Sequence, residues 1–353
     1  MDTSEISTYE QGVFHLPKGR FVPHLQFDAR SFKKDSEYNG VVISLPAGLA
    51  SDLDWSLQKE IAESVVENKG QILWKLDFSL HDSSFSYTDS MAFQSFTIAI
   101  EQFVKTLHAN FAANTLGVII YQGDIDFYHR FTWDASLQNN LEEWLVQMGQ
   151  EENGLHHYNE FYEKEIGNLL LSRYCTSVFS EYLHRLISYL PDTLPVFCLL
   201  DVTEESSFAK VAHLLSKERF PHVHLIIRGS IYPFGELLWD DTCIRSMPIQ
   251  DNIIVGVCVP SEEICGLSHL SDLEIIIQDL SQKKIPFRMI FESLLNEQWG
   301  ELEEIVIISS GISVQGKRKL QGFCAAGGFV VSYGKKLGLI QEMSFEDYKK
   351  KSE

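Results

Sequence analysis

At 353 residues the chain can bury a large core and is expected to form two domains, because single cores stop growing at roughly 250–300 residues. Hydrophobic content of 44% with 22% charged residues is that of an ordinary soluble globular protein. The formal net charge of −20 offers no basic face to a phosphate backbone. It therefore argues against nucleic acid or an anionic membrane as partner, and a carbohydrate or another neutral or cationic ligand fits it better.

The six cysteines are scattered, with no CxxC pair and no Cys/His cluster at zinc spacing, so no metal is expected. Met1–Glu5 is acidic and polar rather than signal-like, and no apolar run approaches the ~20 residues of a membrane span. Reduced cysteines without an address lead to an expected cytoplasmic location. GxGxxG, GxSxG, HExxH and the P-loop frame are all missing, and no cofactor is expected.

In chain order, residues 20–28 alternate as a strand, with Phe21, Pro23, Leu25 and Phe27 on one face and Arg20, His24, Gln26 and Asp28 on the other. A β-branched run at 40–45 is followed by helical spacing over 54–68. The run 72–77 ends in Asp77, and a polar loop containing His81 precedes a long apolar helix over about 88–113. The next strand, 117–126, ends in Asp124 and Asp126 and runs into an aromatic loop containing Trp133. Helical patterns over 137–148 and 158–190 follow, then a strand over 194–201 that ends in Asp201. A helix over 208–218 and a strand over 223–228 complete the regular part. Residues 229–250 are irregular and hold Tyr232, Glu236 and Trp239.

From residue 252 the pattern restarts. Strands at 253–259, 287–290, 305–308 and 329–333 alternate with helices at 270–282 and 317–326, the last closed by Gly327-Gly328. Four such strands make a small open parallel sheet. The expected division is 1–250 and 251–353.

Three apolar runs end in aspartates, as buried parallel strands do where α/β proteins collect their functional groups. In three strands one face is apolar while the other carries polar residues: Lys75, Asp77 and Ser79; Gln122, Asp124 and Asp126; His24, Gln26 and Asp28. A doubly wound sheet covers both faces with helices and tolerates this poorly. A closed barrel accommodates it, with the polar face turned to the lumen. The expected fold is α/β, an irregular (β/α)8-type barrel followed by a small parallel sheet. Six strands are recognisable before residue 250, two short of a full barrel.

Residues 273–333 carry a family likeness. The stretch 283–290 (KKIPFRMI), the acidic GELEEIVIISS at 300–310 and KLQGFCAAGGFVVSYG at 319–334 resemble the amidotransferase-like, Rossmann-like domain that follows the barrel in family 42 β-galactosidases. The resemblance implies a glycosidase-type barrel and a C-terminal domain that takes part in homo-oligomer formation. Strand 305–308 runs into Ser309-Ser310-Gly311, where true amidotransferases carry a nucleophilic cysteine, so glutaminase chemistry is not implied. The Asn-Glu pair of the barrel glycosidases has no counterpart in the barrel region, since Asn159-Glu160 opens a helix and Asn296-Glu297 lies beyond residue 250. No catalytic residue carries over.

The residues themselves offer two readings. Glycoside hydrolysis sets two carboxyl groups across the scissile bond, roughly 5–5.5 Å apart for retention or 6.5–9.5 Å for inversion. Asp124 and Asp126, two apart at a strand exit, suit that role, with Glu236 and Asp77 as further rim carboxylates. Equally, Asp124 can cap a turn with Gly123, Asp77 can pair with Lys75, and Asp201 reads as a helix cap. His24, Asp28, His81, Trp133, Arg228, Tyr232 and Trp239 are the candidate substrate contacts, because sugar rings need aromatic faces to stack on and polar groups for their hydroxyls. The first expectation is a glycoside-hydrolase-like protein. The alternative is a catalytically degenerate barrel serving as a binding or assembly module. The turn 309–311 followed by Gln315-Gly316-Lys317 is a weaker candidate anion cradle at a helix start.

Overall fold

The computed structural model describes residues 8–10, 12–17, 19–34, 36–46, 54–77, 90–123, 140–141, 143–145, 165–201, 223–228, 237–246, 253–261 and 264–351. Three short strands come first: β1 (Thr8–Glu10), β2 (Val13–Leu16) and β3 (Gly19–Phe21) form an antiparallel meander. Eight strands then close into a barrel. They are β4 (His24–Gln26), β5 (Gly40–Pro46), β6 (Gln71–Asp77), β7 (Thr115–Gly123), β8 (Val196–Asp201), β9 (Val223–Arg228), β10 (Leu237–Trp239) and β11 (Cys243–Ser246). β4 to β10 run parallel to their neighbours, whereas β11 is antiparallel to both β10 and β4. The two strands missing from the sequence reading are this β10–β11 hairpin. At three and four residues they are too short to show a period-two pattern.

Alternation along the strands sorts the apolar residues into two cores. Outside the barrel, Ile43, Ile72, Trp74, Leu76, Val118, Ile120 and Cys198 join a buried cluster with residues of the helices Ser56–Glu67, Ser90–Phe103 and Glu165–Ile187. Trp74 is the best-anchored member. Its indole N–H donates to Thr115 Oγ1 at 3.0 Å, and its ring meets Phe103 and Phe111 at 5.9 and 6.0 Å.

The lumen holds the second core. Leu25, Val42, Leu73, Ile119, Phe197, Leu199, Ile226, Leu237 and Ile244 come from all eight strands and form one buried cluster. Tyr9 and Phe14 of the meander belong to it as well, with the Tyr9 ring 5.0 Å from Phe197 and 4.4 Å from His224. Phe197 and His224 lie near the amino ends of β8 and β9, so the meander is the floor of the barrel. Ser246 Oγ ties it down by donating to Gly12 O at 2.5 Å. Gly117 makes room for this packing, since a Cβ there would stand 2.5 Å from Pro195 O and 2.7 Å from the Phe197 ring.

The lower lumen is therefore mostly apolar, with His224 at the floor against Tyr9 and Phe197, and further polar residues follow near the carboxyl ends, where Ser44 and Lys75 share a level. On β4 the expected facing is reversed. Leu25 and Phe27 turn to the lumen, while His24 and Gln26 stand on the outer face. The reason is local. The segment after β4, rather than an apolar helix, covers this strand. Gln26 Nε2 donates to Asp28 O (2.6 Å) and Ser31 Oγ (3.2 Å), and the His24 ring lies 4.6 Å from Tyr38.

Beyond the barrel, β12 (Val255–Val259), β13 (Phe287–Phe291), β14 (Glu304–Ile308), β15 (Phe329–Tyr333) and β16 (Glu342–Ser344) form a separate parallel sheet in the order β13-β12-β14-β15-β16. It has one strand more than the sequence pattern suggests, because β16 has only three residues. Its helices are Leu267–Gln282 and Val314–Ala325, with short helical segments at Leu295–Gln298 and Phe345–Lys351.

Candidate functional site

With the floor sealed by Tyr9 and Phe14, the described end of the barrel that carries polar groups is the carboxyl-terminal rim. Among the described residues, four elements build it. Phe27 follows β4, Lys75 and the backbone of Asp77 come from β6, Arg228 ends β9, and Trp239 ends β10. Arg228 alternates with Ile226, and Trp239 with Leu237, so both continue the lumen-facing rows above the apolar core. Asp201 lies beside Arg228 in the β8–β9 register.

The rim has a definite geometry. The Arg228 guanidinium carbon lies 4.9 Å from the Trp239 ring centroid, within cation–π range. The Trp239 ring meets Phe27 edge-on at 6.3 Å and 80°. Arg228 Nη2 also donates to Asp241 Oδ1 at 2.9 Å, although Asp241 itself is largely exposed. The guanidinium is thus held between an aromatic face and a carboxylate, with its side chain still 37% exposed.

The β10–β11 turn fixes this group in place. Asp240 Oδ1 accepts from Thr242 N (2.8 Å), Thr242 Oγ1 (2.6 Å) and Cys243 N (3.0 Å), and Asp240 N donates to Cys243 O at 3.0 Å. Phe27 N donates to Thr242 O at 3.0 Å, which joins the turn to the end of β4. The Thr242 hydroxyl bond, with the backbone donors behind it, lowers the Asp240 carboxyl to about 2. A group held that low stays ionised near neutrality and cannot act as a general acid there.

Of the eleven residues singled out from sequence, the structure brings Arg228 and Trp239 together. His24 lies on the outer face of β4. Asp28 is exposed at the start of the 3-10 turn Ala29–Ser31, where its carbonyl oxygen accepts from Gln26 and Ser31. Asp77 sits by its backbone at the carboxyl end of β6, paired with Pro46. Asp124, Asp126, His81, Trp133, Tyr232 and Glu236 lie outside the described residues. Phe27 is the rim residue that the sequence reading passed over. Its alternation with Leu25 is the signal that could have found it.

Such a rim can stack the C–H-rich face of a ring on Trp239 or Phe27 and offer guanidinium hydrogen bonds to its oxygens. Among the described residues no three His, Cys, Asp or Glu side chains converge as a metal site, and no helix is long and apolar enough to cross a membrane.

No family model matches the chain, and no curated protein matches it in sequence. Solved structures do match in fold. The apo exo-carrageenase GH42 from Bacteroides ovatus aligns with a TM-score of 0.53 at 11% identity, over 99% of this chain and 72% of that one. The β-galactosidase from the Antarctic haloarchaeon Halorubrum lacusprofundi aligns with a TM-score of 0.53 at 9% identity, over 85% and 69%. The β-galactosidase from Rahnella sp. R3 gives 0.49 at 8% identity, and the chain spans 66% of its length. At these identities the likeness is one of fold. The chain is similar in fold to the GH42 exo-carrageenase and to the haloarchaeal β-galactosidase, and it spans 72% and 69% of their lengths.

Proposed function

We propose that the chain is a carbohydrate-active barrel protein of the glycosidase type, binding a sugar ring at the carboxyl-terminal rim. The observation that carries this reading is the Arg228–Trp239–Phe27 group above a largely apolar, floored lumen. It supplies an aromatic face and a hydrogen-bonding cation side by side, as concave sugar sites require. The likeness in fold to glycoside hydrolases supports it. In this reading Asp124, Asp126, Glu236 and Asp77 supply the acid and the nucleophile or base, and His81, Trp133, Tyr232 and the exposed Asp28 extend the binding surface. The division falls near residue 250. The C-terminal sheet is then a non-catalytic, amidotransferase-like domain through which copies associate in the cytoplasm.

The test is hydrolysis of a panel of aryl glycosides and oligosaccharides by the wild-type chain and by Asp124→Asn, Asp126→Asn and Glu236→Gln. Loss of roughly 10²–10⁴-fold in rate is expected for a true acid or base. Unchanged rates in all three would remove those residues from the mechanism.

A second reading is a binding module without catalysis. It is favoured by the two described rim carboxylates of the hairpin turn, since Asp240 is committed to its turn and Asp241 to Arg228. Saturable oligosaccharide binding without hydrolysis would select it.

A further inference from the structure

In chain order the C-terminal sheet reads 2-1-3-4-5, with β12 first and its neighbours β13 and β14 on opposite sides. Open parallel sheets of this order take ligands, commonly anionic ones, in the crevice at the carboxyl ends of the first and third strands. Here that place lies between Ser261, just after β12, and the stretch Ser309–Ser313, just after β14. Ser313, the N-cap of the helix Val314–Ala325, borders it.

The crevice already holds a carboxylate of the chain itself. Glu292 follows directly on β13 and is only 3% exposed. Its Oε2 accepts from Ser261 N at 3.1 Å, across the end of β12. Its Oε1 accepts from Ser313 N at 2.9 Å and from the Ser313 hydroxyl. Ser313 is the N-cap of the helix, and its Oγ in turn accepts from Gly316 N at 2.9 Å. Lys319 Nζ closes the far side, donating to Glu292 O at 3.3 Å and to Ser293 O. A Cβ on Gly316 would stand 2.2 Å from Glu292 Oε1, so the helix start is shaped around this side chain.

We infer that Glu292 is the built-in occupant of the switch-point crevice, taking the place of an anionic ligand and closing the sheet to one. The donors are Ser261 and Ser313; of the residues suggested as an anion cradle, Gly316 donates to the Ser313 cap and Lys317 reaches Leu337 O instead. This goes beyond the barrel reading and does not depend on it. It makes the C-terminal sheet a rigid structural element rather than a nucleotide or phosphate site.

The test is thermal unfolding of the full chain as wild type, Glu292→Ala and Glu292→Gln, each with 50 mM inorganic phosphate or formate (~50 mM is a working choice well above weak anion affinities) and with chloride at matched ionic strength. Glu292→Ala is expected to lose roughly 5 °C or more of Tm and to regain part of it with phosphate or formate but not chloride. Wild type should show no anion-specific gain. Glu292→Gln still fills the space but presents an NH2 group to donors, so it should lose stability and show no anion response. A phosphate gain in wild type equal to that in Glu292→Ala, or no anion-specific gain in a folded Glu292→Ala, would overturn the inference. Should Glu292→Ala not fold, the Gln variant decides. A wild-type Tm there would show that the carboxylate is not needed.

Discussion

Arg228 lies over the face of Trp239, its guanidinium carbon 4.9 Å from the ring centroid, and pairs at the same time with Asp241. Neither contact contributes much to folding, since an exposed cation–π pair is worth about 0.5–1 kcal/mol and an exposed ion pair about 0–1 kcal/mol. These two contacts by themselves therefore add little to stability, and the binding role proposed for the group is tested directly. Trp239→Ala is expected to weaken oligosaccharide binding about tenfold, a change of about 1.4 kcal/mol, and also to lower the urea midpoint because the ring packs against the lumen cluster. Trp239→Phe should keep part of the affinity. Calorimetric titration with a panel of oligosaccharides checks this, and equal binding by all three proteins would remove Trp239 from the proposed sugar site.

Trp74 is the opposite case, a residue whose value is wholly structural. It is fully buried between β6 and the helices, and its indole N–H is satisfied by Thr115. Trp74→Ala should cost about 3–5 kcal/mol through lost burial and the cavity left behind. Thr115→Val leaves the indole N–H without its acceptor and should cost about 1–3 kcal/mol. Urea unfolding measures both, and the double variant should show less than the sum because the two residues share one bond.

His108 gives a pH dependence. It ends the one-turn π-helical segment Val104–His108, its ring is 6.1 Å from Phe103, and its buried Nδ1 has no hydrogen-bond partner among the described residues. Burial lowers its pKa from the ordinary 6.5. The folded state therefore binds the proton less readily than the unfolded chain. Stability from this group is intact above about pH 6.5 and is lost as pH falls from there through the lowered folded pKa. His108→Leu should flatten that part of the stability profile between pH 8 and 5. An unchanged profile in the variant would assign the acid limb to other groups.

The parts of the fold that were legible in sequence are those where burial is two-sided and long. β6, β7, β8 and β9 are apolar runs of six to nine residues, and each lies in the barrel near where its pattern placed it. The meander and the β10–β11 hairpin were not legible, because strands of three or four residues carry no measurable period. The face of β4 was misread for a different reason. Polarity marks the lumen only where apolar helices cover the outside, and over β4 the covering segment is itself polar. For the site, Arg228 and Trp239 were recognisable as a strand end and a loop aromatic. Their contact depends on the unrecognised hairpin, so no sequence pattern could pair them.

The same burial pattern ties the C-terminal sheet to the barrel. Ile227 on the outer face of β9 is fully buried in one cluster with Val257, Ile276 and Phe345 of the C-terminal elements, and Leu225 packs against it. Conversely, Cys265 and Leu270 belong to the cluster around the barrel's outer face. A regular barrel covers each strand with its own helix. Among the described residues, the C-terminal elements supply such cover for Ile227 on β9. A chain ending at residue 250 should therefore expose Ile227 and Leu225 and bind a hydrophobic dye or aggregate, whatever the state of the rim. Ile227→Asp in the full chain should lower stability by several kcal/mol, because it buries an unpaired carboxylate. Ile340→Asp, at a side chain 96% exposed, serves as the control and should change little. Dye binding and urea midpoints of the three proteins decide the matter. A well-folded 1–250 fragment of wild-type stability would show that the barrel closes its own core.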